Sequence, residues 1–373
     1  RAFANQTAGN GGNCRCTFGR QLAAGDFNDD DRADLAIGTA GYISSAGDTE
    51  GVYVLYGASG EGLRIVGRTA ISGGGEFSAL GTTLRDVVLA AGDHDGDGFD
   101  DLAIGSPTTM ARGTVIPKRE EGVVIVLPGS PQGVKTDPMA TYDEGRASGG
   151  SRNEFDRFGT ALVFGDFRGN GREQLVVGMP FDDRGSKADA GAVAIFTFER
   201  NPGAFETLGR SWSQADLPNA RVDAGDRFGY ALAVGDVTGD GRDDLVIGVP
   251  GESFSGSSGA GVVHLLKGSS TGLSTSSAQT WHQDRSGIAG AAESSDRFGF
   301  ALTLGRYDAG GRYDLAIGVP GEKLSGKATA GAVHVLLGST PGLTSMGSQF
   351  WSQSSSGIAD APQAGDWFGQ VLR

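Results

Sequence analysis

A Phe-Gly or Leu-Gly pair returns along this chain at Phe18-Gly19, Leu80-Gly81, Phe158-Gly159, Phe228-Gly229, Phe298-Gly299 and Phe368-Gly369, at offsets of 62, 78, 70, 70 and 70 residues. A unit of this size, repeated at a nearly fixed period and holding several strand-sized segments, confines the chain to a propeller or a β-solenoid. The unit from Phe228 shows the parts. Phe228–Gly235 is rich in small residues, as an innermost strand must be where units crowd an axis, and Leu245–Pro250 reads as a fully buried second strand ended by proline. Ala260–Leu266 is the third strand, Gly268–Gly272 a turn, and Gln279–Gln283 the fourth and outermost strand. Third strands recur at Gly51–Gly57, Gly122–Gly129, Ala190–Phe198 and Ala330–Gly338. The 65 glycines and the lack of any sustained 3.6-residue apolar period agree with short strands and tight turns.

The expected fold class is therefore all-β: a β-propeller of four-stranded antiparallel blades, in one domain over residues 1–373. Five complete repeats span approximately 18–79, 80–157, 158–227, 228–297 and 298–367. Trp281 and Trp351 each stand seventeen residues before a Phe-Gly pair, and counting back the same distance from Phe18 reaches Arg1. Residues 1–17 and 368–373 thus read as the outer and inner parts of one further blade, and a full ring of six or seven blades is expected.

Between the first and second strands of each unit runs an acidic loop. Its fullest form is Asp93-His94-Asp95-Gly96-Asp97-Gly98-Phe99-Asp100-Asp101, with carboxylates at positions one, three, five and nine. This spacing turns side-chain oxygens and the position-seven carbonyl inward around one hard cation, and Ca2+, which takes about six to eight oxygens at flexible geometry, is the natural guest. An EF-hand would need a bidentate Glu at position twelve. Ile37, Ile104 and Ile247 stand there instead, inside apolar runs, so the loop belongs to a β-hairpin.

Three loops carry a full ligand set and predict about three Ca2+ sites. They are Asp26, Asn28, Asp30, the Arg32 carbonyl and Asp34; Asp93, Asp95, Asp97, the Phe99 carbonyl and Asp101; and Asp236, Thr238, Asp240, the Arg242 carbonyl and Asp244. The third loop, with Asp166, Arg168, Asn170 and Gln174, is a weak site built on Asp166 and Asn170. The fifth has Arg306 at position one and Gly310 at position five but keeps Asp308 and Asp314, so a guanidinium paired with Asp314 is expected in place of a metal. The first role of such a cation is structural, since it pins a hairpin whose acids would otherwise repel one another.

The Phe-Gly pairs, the acidic loops and the Gly-x-Pro triplets at Gly105-Ser106-Pro107, Gly178-Met179-Pro180, Gly248-Val249-Pro250 and Gly318-Val319-Pro320 together resemble the FG-GAP repeat family, which builds the propeller of integrin α-subunits and of many bacterial secreted proteins. The resemblance covers nearly the whole chain and speaks to fold far more than to function. It implies that the calcium loops lie on the face away from the partner surface, and that the ring is closed by the N-terminal strand. It also implies a calcium-stabilised extracellular module of integrin α type, for binding or adhesion, that is not an enzyme.

Charge and composition bear on partners. A formal charge of −14 disfavours nucleic acid and anionic membrane surfaces. No apolar run reaches the length of a membrane span, and the N-terminus lacks a signal-peptide pattern, as a mature or trimmed chain would. Calcium modules of this kind belong outside the cytosol, so a secreted or surface location is expected, with periplasm as the alternative. Asn5-Gln6-Thr7 is a glycosylation sequon, hence a glycoprotein expectation, and Cys14 and Cys16 are too few for a zinc site or a disulfide scaffold.

Catalysis finds little support in these residues. Gly268-Ser269-Ser270-Thr271-Gly272 matches a nucleophile pattern, but the same turn in other repeats lacks the central serine, and His264 and His334 occupy equivalent strand positions. Trp212, Trp281 and Trp351 are read as beginning outer strands, as packing residues in the first place and sugar-stacking residues in the second. Binding is better sought where the repeats differ, in the second-to-third-strand loops 39–50, 106–121, 179–190, 249–259 and 319–329 and the fourth-to-first linkers, because loops on a rigid scaffold carry recognition. Arg112, Lys118 and Arg119 in the most irregular of these loops are candidates for holding an acidic protein or glycan partner. Two alternatives stay open: a carbohydrate-binding lectin propeller, and a non-catalytic accessory domain of a secreted hydrolase in a longer chain with other domains.

Overall fold

The computed structural model describes residues 17–40, 51–60, 62–72, 86–109, 120–148, 154–201, 204–358 and 360–372. They fall into two compact units, one of Arg1–Asp93, Asp97–Glu144 and Arg152–Gly159, the other of His94–Gly96, Gly145–Ser151 and Thr160–Arg373. The proposed outer strand at residues 1–6, both cysteines, the sequon and Arg112, Lys118 and Arg119 lie outside the described residues.

The first unit holds two four-stranded sheets. One comprises β1 (Thr17–Gly25), β2 (Asp34–Ala40), β3 (Gly51–Ala58) and β4 (Gly62–Ser72), the other β5 (Val88–Gly92), β6 (Asp101–Ser106), β7 (Val123–Leu127) and β8 (Ala140–Tyr142). In each, strands follow one another in chain order and pair antiparallel. Phe27, Val52, Val54, Leu89, Leu102, Ile104 and Ile125 form the core that joins these two sheets.

The second unit holds three sheets of the same design. They are β9 (Ala161–Gly165), β10 (Gln174–Met179), β11 (Ala192–Asn201) and β12 (Ala204–Trp212); β13 (Ala231–Gly235), β14 (Asp244–Val249), β15 (Val262–Lys267) and β16 (Ser274–Trp281); and β17 (Ala301–Gly305), β18 (Asp314–Val319), β19 (Ala332–Ser339) and β20 (Gly342–Trp351). A first core packs Phe167, Val176, Val193, Phe228 and Ile247 together, and a second packs Val246, Leu265, Trp281, Phe298, Ile317 and Leu336. The five four-stranded antiparallel sheets are the five blades expected from the repeat.

Each second strand is apolar on both faces because both faces are covered: every residue of β6, β10, β14 and β18 is buried. The first strands need small residues because they approach one another. A Cβ on Gly165 of β9 would sit 2.5 Å from Val234 of β13, well inside contact distance.

Two expectations are corrected. At Phe158, Phe228 and Phe298 the Phe-Gly pair does not open the innermost strand, which begins three residues later, whereas Phe18-Gly19 lies within β1. Phe228 forms a parallel bridge to Gly191, and Phe368 to Gly331, each reaching the start of the preceding third strand. Gly229 explains the break: its φ is +86°, and a Cβ there would lie 2.6 Å from the Ala192 carbonyl. Nor do the tryptophans begin outer strands. Trp212, Trp281 and Trp351 end β12, β16 and β20, paired across the ladder with Val193, Val263 and Val333. The outer strands start just after the turn, in polar stretches such as Ser274-Thr275-Ser276-Ser277, which leave no apolar period to read.

Candidate cation-binding loops

The strand order puts each acidic loop in the hairpin between a first and a second strand, and backbone amides shape it. Asp93 accepts from the N–H groups of Asp97 and Gly98 at 3.0 Å each, and Asp236 from those of Gly239, Asp240 and Gly241 at 2.6, 3.0 and 2.9 Å. Asp26 likewise accepts from Asp30 and Asp31 at 3.1 and 2.8 Å. The position-one acid thus rolls the chain of each loop into a tight cup.

Position nine ties the cup to the blade. Asp34 accepts from the N–H of Phe27 at 3.1 Å and of Gly57 at 2.7 Å; Asp244 accepts from Thr238 and Gly268 at 3.0 Å each; Asp101 accepts from Gly129 at 3.0 Å. Gly57 stands at the end of β3, and Gly129 and Gly268 just after β7 and β15, so one carboxylate joins two hairpins. Burial pushes the Asp34 carboxyl up to about 6, and the charges of Asp26 and Asp30 add to the rise. Asp244 is likewise raised to about 6 by burial, with Asp236 and Asp240 adding to it. These are crowded acids in want of a positive charge.

The carboxylate oxygens of Asp93, Asp95 and Asp101 lie within 4.8 Å of one another, a separation that one cation spans. In the first loop the buried Oδ1 of Asn28, at position three, has no hydrogen-bond partner. A metal at the cup centre would satisfy it. The donor set is oxygen throughout, which fits Ca2+ or Mg2+ and not a soft metal.

The weaker loops look different. In the third, Gln174 donates its amide to the Arg172 carbonyl, occupying the position-seven oxygen, and Asp166 is the single acid among its side-chain ligands. The fifth loop corrects the expected Arg306–Asp314 pair. Asp314 is filled by the N–H groups of Tyr307, Asp308 and Gly338 at 2.8, 3.2 and 2.9 Å, while the Arg306 guanidinium stacks 5.2 Å from the Tyr313 ring. A carboxylate already served by three amides offers little to a guanidinium, and an aromatic face nearby offers more.

Position eight carries a function that the spacing argument missed. Asp100 accepts from the Asp26 N–H at 2.8 Å and returns its own N–H to the Asp26 carbonyl at 3.1 Å. Asp243 makes the same pair with Asp166, at 2.9 and 3.1 Å. The second and fourth loops therefore each grip the first residue of the preceding one. The signal was present as the doubled Asp-Asp at Asp100-Asp101 and Asp243-Asp244.

Other candidates fall into structural roles. His264 and His334 are buried against Phe228 and Phe298, at ring separations of 5.9 and 5.5 Å, and burial lowers both to about 4. His94 is buried between Phe164 and Phe198 with Nδ1 2.9 Å from the Glu173 carbonyl. Ser269 donates to the Gly272 carbonyl, as Ser130 does to Gly133 and Ser339 to Gly342, so Gly268–Gly272 is a repeated serine-closed turn. Trp212 and Trp281 are buried in blade cores and stacked on by Arg210 and Arg285, a packing arrangement.

Comparison with known proteins agrees with this architecture. The FG-GAP repeat profile matches residues 18–55, 87–127 and 228–266. Integrin alpha-PS2 of Drosophila melanogaster is 32% identical over 199 residues, covering 52% of this chain and 12% of that protein. Integrin alpha-5 of Xenopus laevis is 28% identical over 247 residues, covering 63% of this chain and 20% of its own length. Phosphatidylinositol-glycan-specific phospholipase D of Bos taurus is 34% identical over 116 residues, 31% of this chain and 14% of that enzyme. A rhamnogalacturonan lyase of Bacillus licheniformis superposes with a TM-score of 0.45 at 16% identity, over 93% of this chain and 52% of that one, a likeness too slight to carry weight. These matches place FG-GAP repeats in the chain and support an integrin α-like propeller. The chain spans a fifth or less of the length of these integrin relatives.

Proposed function

We propose that this chain is an extracellular binding module whose acidic loops hold Ca2+ as structural ions, at the loops beginning with Asp26, Asp93 and Asp236. The observation that carries the calcium reading is the convergence of Asp93, Asp95 and Asp101, with the orphaned Asn28 oxygen in the first loop as its companion. Each ion would neutralise acids that otherwise repel, and its binding free energy adds to folding free energy. Partner recognition is assigned to the second-to-third-strand loops and the fourth-to-first linkers, at the strand ends away from the cation loops. The integrin α relatives support a protein partner at an extracellular surface, and the non-enzymatic reading follows the same relatives. Among the described residues no helix is long and apolar enough to cross a membrane.

Two measurements test the module. Calorimetric titration of chelator-stripped protein is expected to show about three Ca2+ equivalents with oxygen-loop affinities in the millimolar-to-micromolar range. Equal melting temperatures in calcium and in chelator would overturn the cation reading. Screening the calcium-loaded protein against arrayed extracellular proteins and glycans then tests binding itself, and a glycan-only pattern would favour a lectin.

A further inference from the structure

The second unit contains a cavity of about 220 Å3 whose walls include Arg227, Arg297, Ser258, Ser295, Gly259 and Phe300. All but Phe300, which directly precedes β17, come from the loop between β14 and β15 or from the linkers that precede Phe228 and Phe298. Both arginines hold left-handed backbone, φ 61° in each case, a conformation costly for any residue but glycine. Their guanidinium carbons lie 5.3 Å from the Phe181 ring and 5.5 Å from the Trp367 ring. Among the described residues neither guanidinium forms an ion pair, and the buried Nε of Arg227 has no hydrogen-bond partner. Tyr230, ring-stacked on Phe300 at 4.9 Å, is raised by burial and pulled down by the charges of Arg227 and Arg297, which sets both cations beside one phenol.

The repeat supplies an internal control. Arg157 occupies the same position one unit earlier and is held by Glu120 at 2.7 and 2.8 Å. The backbone N–H of Arg157 bonds the Glu120 carbonyl, that of Arg227 the Asp189 carbonyl and that of Arg297 the Gly259 carbonyl, so these three acceptors are equivalent. At Gly259 the acid is missing. Two cations left without anions in a chain of net charge −14 are not a consequence of composition. Two arginines without an acid partner, side by side at a cavity, mark a place for a ligand.

We infer that this cavity binds a carboxylate group of the module's ligand, clamped between Arg227 and Arg297 in the position that Glu120 fills at Arg157. This deepens, and rests on, the binding-module reading above. Guanidinium forks match planar carboxylates, and the Phe300 wall suits a flat monoanion better than a tetrahedral dianion. The carboxylate has two possible sources, an acidic protein side chain or an acidic sugar, and the test separates them.

The full calcium-loaded chain, labelled with 15N, is titrated with N-acetyl-aspartate amide, with galacturonate and with inorganic phosphate while the arginine Nε–H resonances are followed. At least one carboxylate is expected to shift both the Arg227 and Arg297 signals, with a dissociation constant on the order of millimolar for so small a probe. The tighter carboxylate names the source. Gly259→Glu is the decisive variant: a Cβ there meets nothing closer than Ser295 at 3.9 Å, and Glu120, which holds Arg157, already adopts φ 51° at the equivalent place. It should fold with a small loss of melting temperature from the left-handed backbone, pair with Arg297 and weaken carboxylate binding about tenfold or more. No shift with either carboxylate, tighter binding of phosphate, or full binding by Gly259→Glu would each overturn the assignment. Running the extracellular-partner screen with both proteins keeps the two readings apart. A partner held equally by wild type and variant leaves the module and removes the pocket, whereas carboxylate shifts without any partner do the reverse.

Discussion

At the scale of single residues, the loop acids divide into those that build the cup and those that only fill it. Asp244 accepts two backbone N–H groups, from Thr238 and Gly268, and is fully buried. Asp244→Ala leaves both donors unsatisfied and is expected to cost about 2–4 kcal/mol in urea unfolding even in chelator. Asp240, at position five, is exposed and pairs with Arg242 at 3.1 Å. Asp240→Ala should therefore leave the chelated protein nearly unchanged and remove most of the calcium-dependent rise from that loop. Equal losses for the two variants in chelator would refute this division. The Phe-Gly glycine is equally specific: Gly229→Ala combines a φ of +86° with a Cβ 2.6 Å from a carbonyl, so it should destabilise by about 2 kcal/mol or more in the same assay. The loop positions were legible because carboxylate spacing is a local signal. Position eight was not, because its partner, Asp26 or Asp166, lies about one repeat away in sequence.

At the scale of elements, neighbouring blades of the second unit are joined by buried Gln–Glu pairs. Gln214 contacts Glu252 and Gln283 contacts Glu322, each at 2.6 Å, and the other amide atom of each glutamine is buried without a partner. In each pair the glutamine Nε2–H donates to the glutamate Oε2. Burial pushes Glu322 from 4.5 up to about 7, with Asp296 and Glu293 adding to the rise. Burial does the same to Glu252, where Asp226 and Asp223 add and Arg221 opposes. Because the folded state holds these protons more tightly than the unfolded chain, the stability they contribute is present below pH 4.5 and lost as pH rises to about 7. Glu322→Gln mimics the protonated form. Melts between pH 5 and 8 should show a shallower decline for it than for wild type, and an unchanged slope would remove the pair as the source. These pairs are invisible in sequence, since Gln283 and Glu322 sit in different repeats and only stacking brings them together.

At the scale of the whole molecule, the expected cations are unevenly shared among the blades, with strong loops beginning at Asp26, Asp93 and Asp236 and none in the last blade. Hydrogen exchange after chelation is expected to lose more protection in β5 to β7 than in β17 to β19, whose own loop ends in an Asp314 already satisfied by three amides. Uniform loss would mean that the loops do not stabilise their own blades. The sequence by itself determined the repeat, the strand order within each blade, the buried second strands and the oxygen-rich loops. Each of these depends on residues close in the chain, where periodicity and spacing act directly. Only tertiary structure decided where the Phe-Gly pair binds, that tryptophans close the outer strands, that Arg306 stacks on Tyr313, and that Arg227 and Arg297 share a cavity without an acid. Those outcomes depend on contacts between repeats, where packing and desolvation choose among partners that local sequence leaves equivalent.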